Sequence, residues 1–322
     1  MTAPAGFRRD LPRWRQLVTP EWIAALVAGA VLDAAPAGDW RLFEVGCDDE
    51  NAFVNGHIPG AGYLDTMRLE HGPLWNKVAD VELERLLCEL GIRRDATVVL
   101  VGRNPLAAAR AAHLLLYAGV LDVRLLDGGF TAWQRAGLAL ERGAGQRWPS
   151  VEAFGVPVPA RPRYLMDMAE TRALLTHKEA TLASIRTRAE FVGATSGYSY
   201  IAARGDIPGA VWGHAGLDAD INSMSEYQDD AGCMKPAHEI EAMWRAAGIV
   251  PARQTVFYCG TGWRASLAFF YAWLMGWERI AVFDGGWCEW SRDPANPVVC
   301  RVSCPPPPSS RSESSRSTCC RA

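Results

Sequence analysis

The sequence predicts an α/β protein of two tandem domains, each a parallel sheet flanked by helices. Three observations carry this prediction. A long segment of the first half recurs in the second, each copy alternates strand-like and helix-like runs, and a stretch dense in Gly and Pro lies between the copies.

The repeat sets "LGIRRDATVVLVGRNPLAAARAAHLLLYAGVLDVRLLDGGFTAW" against "AGIVPARQTVFYCGTGWRASLAFFYAWLMGWERIAVFDGGWCEW" without a gap. One offset, 157, places Gly91 on Gly248 (248 minus 91) and Asp127 on Asp284 (284 minus 127). Upstream, "NGHIPGAGYLDT" echoes "ARGDIPGAVWGH". In each copy a short apolar run, "ATVVLV" or "QTVFYC", has the length and the Val, Phe and Tyr content of a strand buried on both faces. A short loop then opens a helical stretch, "LAAARAAHLLLYAG" or "RASLAFFYAWLMG", which glycine ends. A second strand follows in "VRLLDGG" and "RIAVFDGG". Strand, helix and strand at this spacing imply parallel pairing with right-handed crossovers, in domains of about 120 residues. The expected boundaries are residues 15–142 for the first domain, 143–163 for a linker and 164–299 for the second domain. Residues 300–322, rich in Pro, Ser and Arg, read as a disordered tail that cannot bury a core.

Composition narrows the function. With 322 residues, 49% hydrophobic, the chain can bury a sizeable core, while a net charge of -3 supplies no basic field for nucleic acid. The early apolar segment "IAALVAGAVLDAA" is too short to span a bilayer, so the expectation is a cytoplasmic protein with no membrane partner, taken as a monomer. Nine cysteines without paired C-x2-C blocks point to free thiols rather than zinc, and the adjacent Cys319 and Cys320 have no histidine beside them. No metal and no organic cofactor are expected.

The repeat is asymmetric at one place. Gly102 in the first copy aligns with Cys259 in the second (259 minus 102 is again 157), at a strand end where parallel sheets carry their active loops. Around Cys259 the chain reads "FYCGTGWRAS". Gly260 and Gly262 allow a tight curl, so backbone N–H groups from Thr261 through Trp263 to Arg264 are able to turn inward around the sulfur. A helix opening near Arg264 aims its positive end at the same point, and a thiolate gains reactivity from such surroundings. A strand-end cysteine is by itself more often a buried thiol, but the two glycines and the arginine favour a nucleophile.

"CGTGWR" resembles the six-residue active-site loop of the rhodanese family of sulfurtransferases. "LVTPEW", "GHIPGA", "GDIPGA", "LLDGGFTAW" and "VFDGGWCEW" resemble that family's flanking motifs, and the likeness runs from Val18 to Val299. An inactive first domain before a catalytic second one is similar to tandem thiosulfate and 3-mercaptopyruvate sulfurtransferases. The resemblance implies two rhodanese-like domains and a ping-pong transfer. Cys259 takes sulfane sulfur from a small anionic donor, holds it as a persulfide, and passes it to cyanide or another thiophilic acceptor. Thiosulfate ranks first by the charge of Arg264, with 3-mercaptopyruvate as the alternative, since "CGTG" resembles loops of that type. Arg186, in "LASIRTRAEF", sits where relatives carry a strand-end Asp-x-Arg whose arginine binds the donor, although Ser184 replaces the acid.

Other residues carry weaker expectations. Arg188 reads as solvated, His214 as locally hydrogen-bonded, Asp206 to Ala210 as a structural turn, and Asp284 to Gly286 as a turn supporting the loop over Trp287. A cysteine phosphatase is the nearest enzymatic rival, but its loop resembles one with five residues between Cys and Arg, and here there are four. A non-catalytic binding module suits the first half, with "VGRNPLAA" in place of the cradle.

Overall fold

The computed structural model describes residue 4 and residues 6–177 and 179–302. The first half contains β1 (Leu17–Val18), α1 (Pro20–Val27), β2 (Trp40–Gly46), α2 (Glu50–Asn55), β3 (Gly62–Asp65), the short pair β4 (Glu70–His71) and β5 (Asn76–Lys77), α3 (Asp80–Glu89), β6 (Thr97–Gly102), α4 (Pro105–Ala118), β7 (Asp122–Leu126) and α5 (Gly129–Arg135). The second contains β8 (Leu165–Met166), α6 (Met168–Leu174), β9 (Ala180–Ser184), α7 (Arg188–Val192), β10 (Val211–Trp212), α8 (Ala237–Ala246), β11 (Gln254–Tyr258), α9 (Trp263–Leu274), β12 (Ile280–Phe283) and α10 (Gly286–Trp290).

Each half forms its own five-stranded sheet, with every strand pair parallel. The orders are β1-β7-β6-β2-β3 and β10-β9-β11-β12-β8, the same sequence of equivalent strands written from opposite edges. The central strands β6 and β11 are apolar along nearly their whole length because layers cover both faces, as their unbroken Val, Leu and Phe runs predict. β4 and β5 pair antiparallel outside the large sheets.

The halves meet along α4 and α9. Every residue of α4 after Pro105 is buried, and every residue of α9 is buried, because each helix lies between its own sheet and the other helix. Ala107, Ala108, Ala109, Ala111 and Ala112 keep α4 narrow enough for this approach. One apolar cluster consequently runs through both domains, from Leu100 and Leu114 to Phe269 and Val282. Burial of each large apolar side chain contributes about 1.5–3 kcal/mol, so docking of the domains is part of their stability.

The stretch between the domains is not a loose tether. Gln146 N donates to Ala61 O, Val151 N to Cys88 O and Ala160 N to Ala118 O, and Phe154 is fully buried, so this strap lies against the first domain. At the far end, Val299 and Asp206 bond each other, and Arg301 N donates to Val192 O while its guanidinium lies 3.9 Å from the Phe191 ring. Cys88, Cys233 and Cys259 are free thiols, as expected for most cysteines, and Cys300 is disulfide-bonded. Ordered packing thus continues past the tail boundary expected at Cys300. The remainder of the expected tail, with Cys319 and Cys320, lies outside the described residues. Among the described residues no helix is long and apolar enough to cross a membrane.

Candidate active site

Cys259 follows the last residue of β11 and is 1% exposed. The glycines around it do what the sequence suggested. Gly262 adopts φ +97, a left-handed conformation that favours glycine, and its N–H donates to the Cys259 sulfur at 3.2 Å. The chain enters α9 at Trp263, with Gly262 as an N-cap that has no side chain to occupy the helix-start amides. The carbonyls of the loop are fastened from behind, since Trp287 N donates to Cys259 O at 2.8 Å and Cys288 N to Gly260 O at 2.9 Å. The start of α10 therefore turns the loop's oxygens away from the thiol. Trp287 is fully buried in this support, as expected for the turn from Asp284 to Gly286.

Arg264 does not project freely at the mouth. Nη1 and Nη2 grip the two oxygens of Glu190 at 2.8 and 2.9 Å, and Nη2 also bonds the Tyr198 hydroxyl at 2.7 Å. Burial raises the affinity of Glu190 for a proton, but the charge and hydrogen bonds of Arg264, with Arg186 behind, outweigh it and hold this carboxyl at about 2. Glu190 is ionised at neutral pH and balances Arg264 at short range.

Arg186, expected to contact the donor, is fully buried beneath this pair. Its Nη1 donates to Gly205 O at 2.7 Å, Nε approaches Glu190 at 3.4 Å, and the guanidinium lies over the Trp287 ring. It does not line the cavity at the loop. With these partners the guanidinium is fully desolvated behind the loop. The acid missing at Ser184 is replaced through space, since the Ser184 hydroxyl and the Tyr258 hydroxyl both donate to Asp206, which stands 3.6 Å from Arg186 Nη1. Asp206 is thus more than a turn residue. Arg188 lies over the Trp212 ring at 5.0 Å, and His214 stacks on the same ring, so neither enters the site.

A cavity of about 20 Å³ adjoins the loop, walled by Leu106, Tyr198, Tyr200, Thr261, Trp263 and Arg264. The Tyr198 ring packs directly on the α-carbon of Gly260, which leaves no room there for a side chain. The sequence places "SGYSYIAA", with Tyr198, at the border of the site without assigning it chemistry, and gives no sign of Glu190. Thr187-x-x-Glu190 does form a capping box, a signal that locates Glu190 at a helix start, but nothing in the local pattern points from there to Arg264.

The first domain also reaches the loop. Trp263 Nε1 donates to Glu70 at 2.7 Å, and Arg110 on α4 bonds both Glu70, at 3.1 Å, and Asp284. The turn after each second strand is clamped by the opposite domain. Lys77 N donates to Asp284 at 2.9 Å, and Met234 N donates to Asp127 at 2.8 Å. Lys77 and Met234 are separated by the same 157 residues (234 minus 77), so the two clamps are equivalent.

A model of the rhodanese-like domain matches residues 21–136 and again residues 167–293, segments that hold four of the five strands of each sheet. The chain belongs to the rhodanese-like domain family. Among curated proteins, thiosulfate sulfurtransferase YnjE of Escherichia coli is 50% identical over 90% of this chain, which spans 66% of that protein. The crystal structure of YnjE superposes with a TM-score of 0.86, covering 89% of this chain and 69% of that one. A probable 3-mercaptopyruvate sulfurtransferase of Pseudomonas aeruginosa is 32% identical over 88% of this chain and 98% of its own length. The anaerobic ergothioneine biosynthesis enzyme of Chlorobium limicola, solved with trimethyl histidine, is 38% identical, with a TM-score of 0.87 over 93% of this chain and 73% of that one. All three comparisons span both rhodanese-like domains, and only the second of these carries a cysteine at its loop.

Proposed function

We propose that the protein is a sulfurtransferase that moves sulfane sulfur through a persulfide on Cys259. The observation that carries this reading is the Gly262 N–H aimed at the Cys259 sulfur from an uncapped helix start. The thiolate attacks the outer sulfur of thiosulfate, a new S–S bond forms as the old one breaks, and sulfite leaves with the bonding pair. Cyanide or a thiolate then attacks the terminal sulfur, and the electron pair of the breaking bond returns to Cys259. Both steps are displacements at sulfur in which the loop amides and the α9 dipole stabilise the anionic sulfur. The Gly260 to Arg264 segment forms the cradle, with Glu190 and Arg186 fixing its arginine.

Arg264 no longer ranks the donors by charge, because Glu190 balances it. Thiosulfate stands first on the name of the E. coli relative, and 3-mercaptopyruvate second on that of the P. aeruginosa relative. A second reading of the acceptor follows from the walls of the cavity. Tyr198, Tyr200 and Trp263 suit a flat or trimethylammonium-bearing molecule such as the trimethyl histidine of the C. limicola enzyme.

Mass spectrometry tests the reading directly. Incubation with thiosulfate is expected to add one sulfur at Cys259, and cyanide to discharge it as thiocyanate, while Cys259→Ser abolishes both. Parallel incubations with 3-mercaptopyruvate and with trimethyl histidine rank the donors and acceptors. Full transfer by Cys259→Ser, or no added sulfur with either donor, sinks the proposal.

A further inference from the structure

We infer that Arg110, contributed by the domain whose equivalent loop carries no cysteine, is a positioning residue for the Cys259 cradle. Arg110 is fully buried in the middle of α4, where helical packing alone calls for an apolar side chain. The equivalent residue 157 positions later is Leu267, which shows that the fold tolerates one (267 minus 110 is 157). The difference lies in what each faces. Arg110 Nε holds Glu70 at 3.1 Å and Nη2 holds Asp284, while Glu70 accepts the indole N–H of Trp263 at 2.7 Å. The guanidinium thus ties the turn behind the loop to the first residue of α9 in front of it.

The same guanidinium packs on the crest of the loop. A Cβ placed on Gly262 would stand 3.1 Å from Arg110 Nη1 and 3.3 Å from its Cζ, so the arginine fills the space against the α-carbon whose N–H meets the sulfur. Nη1 has no hydrogen-bond partner among the described residues. The charged groups nearest to Arg110 are Glu70 from β4 and Asp284 after β12, and buried His113 on α4 is held at about 4 by burial and by Arg110 itself. Burying one cation between two carboxylates is costly unless every contact is used. The equivalent clamp in the other domain has no arginine on the facing helix: Asp127 faces Met234 N, with Leu267 and Tyr271 beside it and Arg8 of the N-terminal segment acting on it. The arginine appears on the side that holds the cysteine.

The role is separable from simple domain glue. Arg110 does not line the cavity, so its loss should misplace the loop amides without removing a donor contact. Arg110→Met is expected to lower kcat for thiosulfate-dependent sulfur transfer about tenfold or more with KM changed less than about twofold, and to change the rate of Cys259 alkylation by iodoacetamide several-fold. Arg110→Lys should restore part of both. Asp127→Ala removes the equivalent clamp away from the cysteine, and should lower the melting temperature while leaving kcat and alkylation near wild type. If Arg110→Met fails to fold, Glu70→Gln tests the same cluster. Unchanged kcat and alkylation in the Arg110 and Glu70 variants, or losses that Asp127→Ala reproduces, overturns the assignment. The inference rests on the sulfur-transfer reading only in its kinetic arm. If wild-type Cys259 takes up no sulfur, that reading fails, and the alkylation rates still decide the role of Arg110.

Discussion

The two loops at equivalent strand ends differ in who uses their amides. In the first domain β6 ends at Gly102, Arg103 turns to the Gly56 and Ala52 carbonyls and to Glu44, and Asn104 caps α4 by accepting from Leu106 N. Pro105 begins the helix and has no N–H to offer. In the second domain Gly262 caps α9 without a side chain, and its own N–H points at Cys259. The helix start is consumed by the protein in one copy and reserved in the other. A Cβ on Gly102 would also meet the Asn104 carbonyl, so restoring a thiol there would not restore a site. The missing cradle in the first domain is therefore a matter of backbone path as much as of one missing cysteine.

Substitutions that blur this contrast are expected to act in a definite order. Glu190→Gln should be the most damaging to stability, because it strips buried Arg264 of its carboxylate and leaves buried Arg186 with Asp206 at 3.6 Å. Removing one partner of a buried pair costs about 3–5 kcal/mol, and urea unfolding would show it. The same carboxyl gives a pH signature. Held at about 2, below its ordinary 4.5, Glu190 contributes stability that is full above pH 4.5 and lost as the pH falls from there towards 2. Acid unfolding of wild type should steepen in that window, and Glu190→Gln should flatten it.

Gly262→Ala should come next, at about 1–3 kcal/mol, from a left-handed backbone and the approach of Arg110. Sulfur loading at Cys259 should fall further than stability does. A variant with full loading would mean that the crest of the loop does not need glycine.

Asp127→Asn tests the clamp that has no arginine on the facing helix. Burial, offset only in part by the Met234 N–H and Arg8, pushes Asp127 up to about 6 from 3.8. The folded state then binds the proton more tightly, so the ionised carboxylate weakens the fold above pH 6, and that penalty disappears as the pH falls towards 3.8. The amide should accordingly raise stability by about 1–2 kcal/mol at pH 7 and by little at pH 4, read from melting curves at both. Equal effects at the two pH values would place the origin elsewhere. The smallest effect is expected from Asn104→Ala, about 1 kcal/mol for a lost helix cap, with sulfur transfer unchanged. Reduced transfer there would mean that the first loop takes part in the chemistry.

Much of this contrast was legible in the chain, and the legible part is local. The 157-residue offset, the strand-like "QTVFY", the glycines at 260 and 262 and the helix from Trp263 depend on periodicity and backbone freedom over a few residues, and each lies where the sequence puts it. The partners of the arginines were not legible. Arg264 read as a hand held out to the donor, and Arg186 as a second one, because a sequence shows charge without showing what faces it. Glu190 lies 74 residues from Arg264 and Asp284 lies 174 from Arg110, separations at which only the packed sheet and the α4–α9 contact bring side chains together.

The sequence by itself determined two like sheets, a cysteine at one of the two equivalent loops and an uncapped helix start behind it, since dihedral preferences and apolar periodicity act within each segment. Only the tertiary structure decided that the loop's arginine is neutralised from α7, that Tyr198 closes over Gly260, and that Arg110 of the first domain packs against the crest of the cradle. Those outcomes depend on desolvation, which makes a buried charge seek its counterion wherever the fold places one.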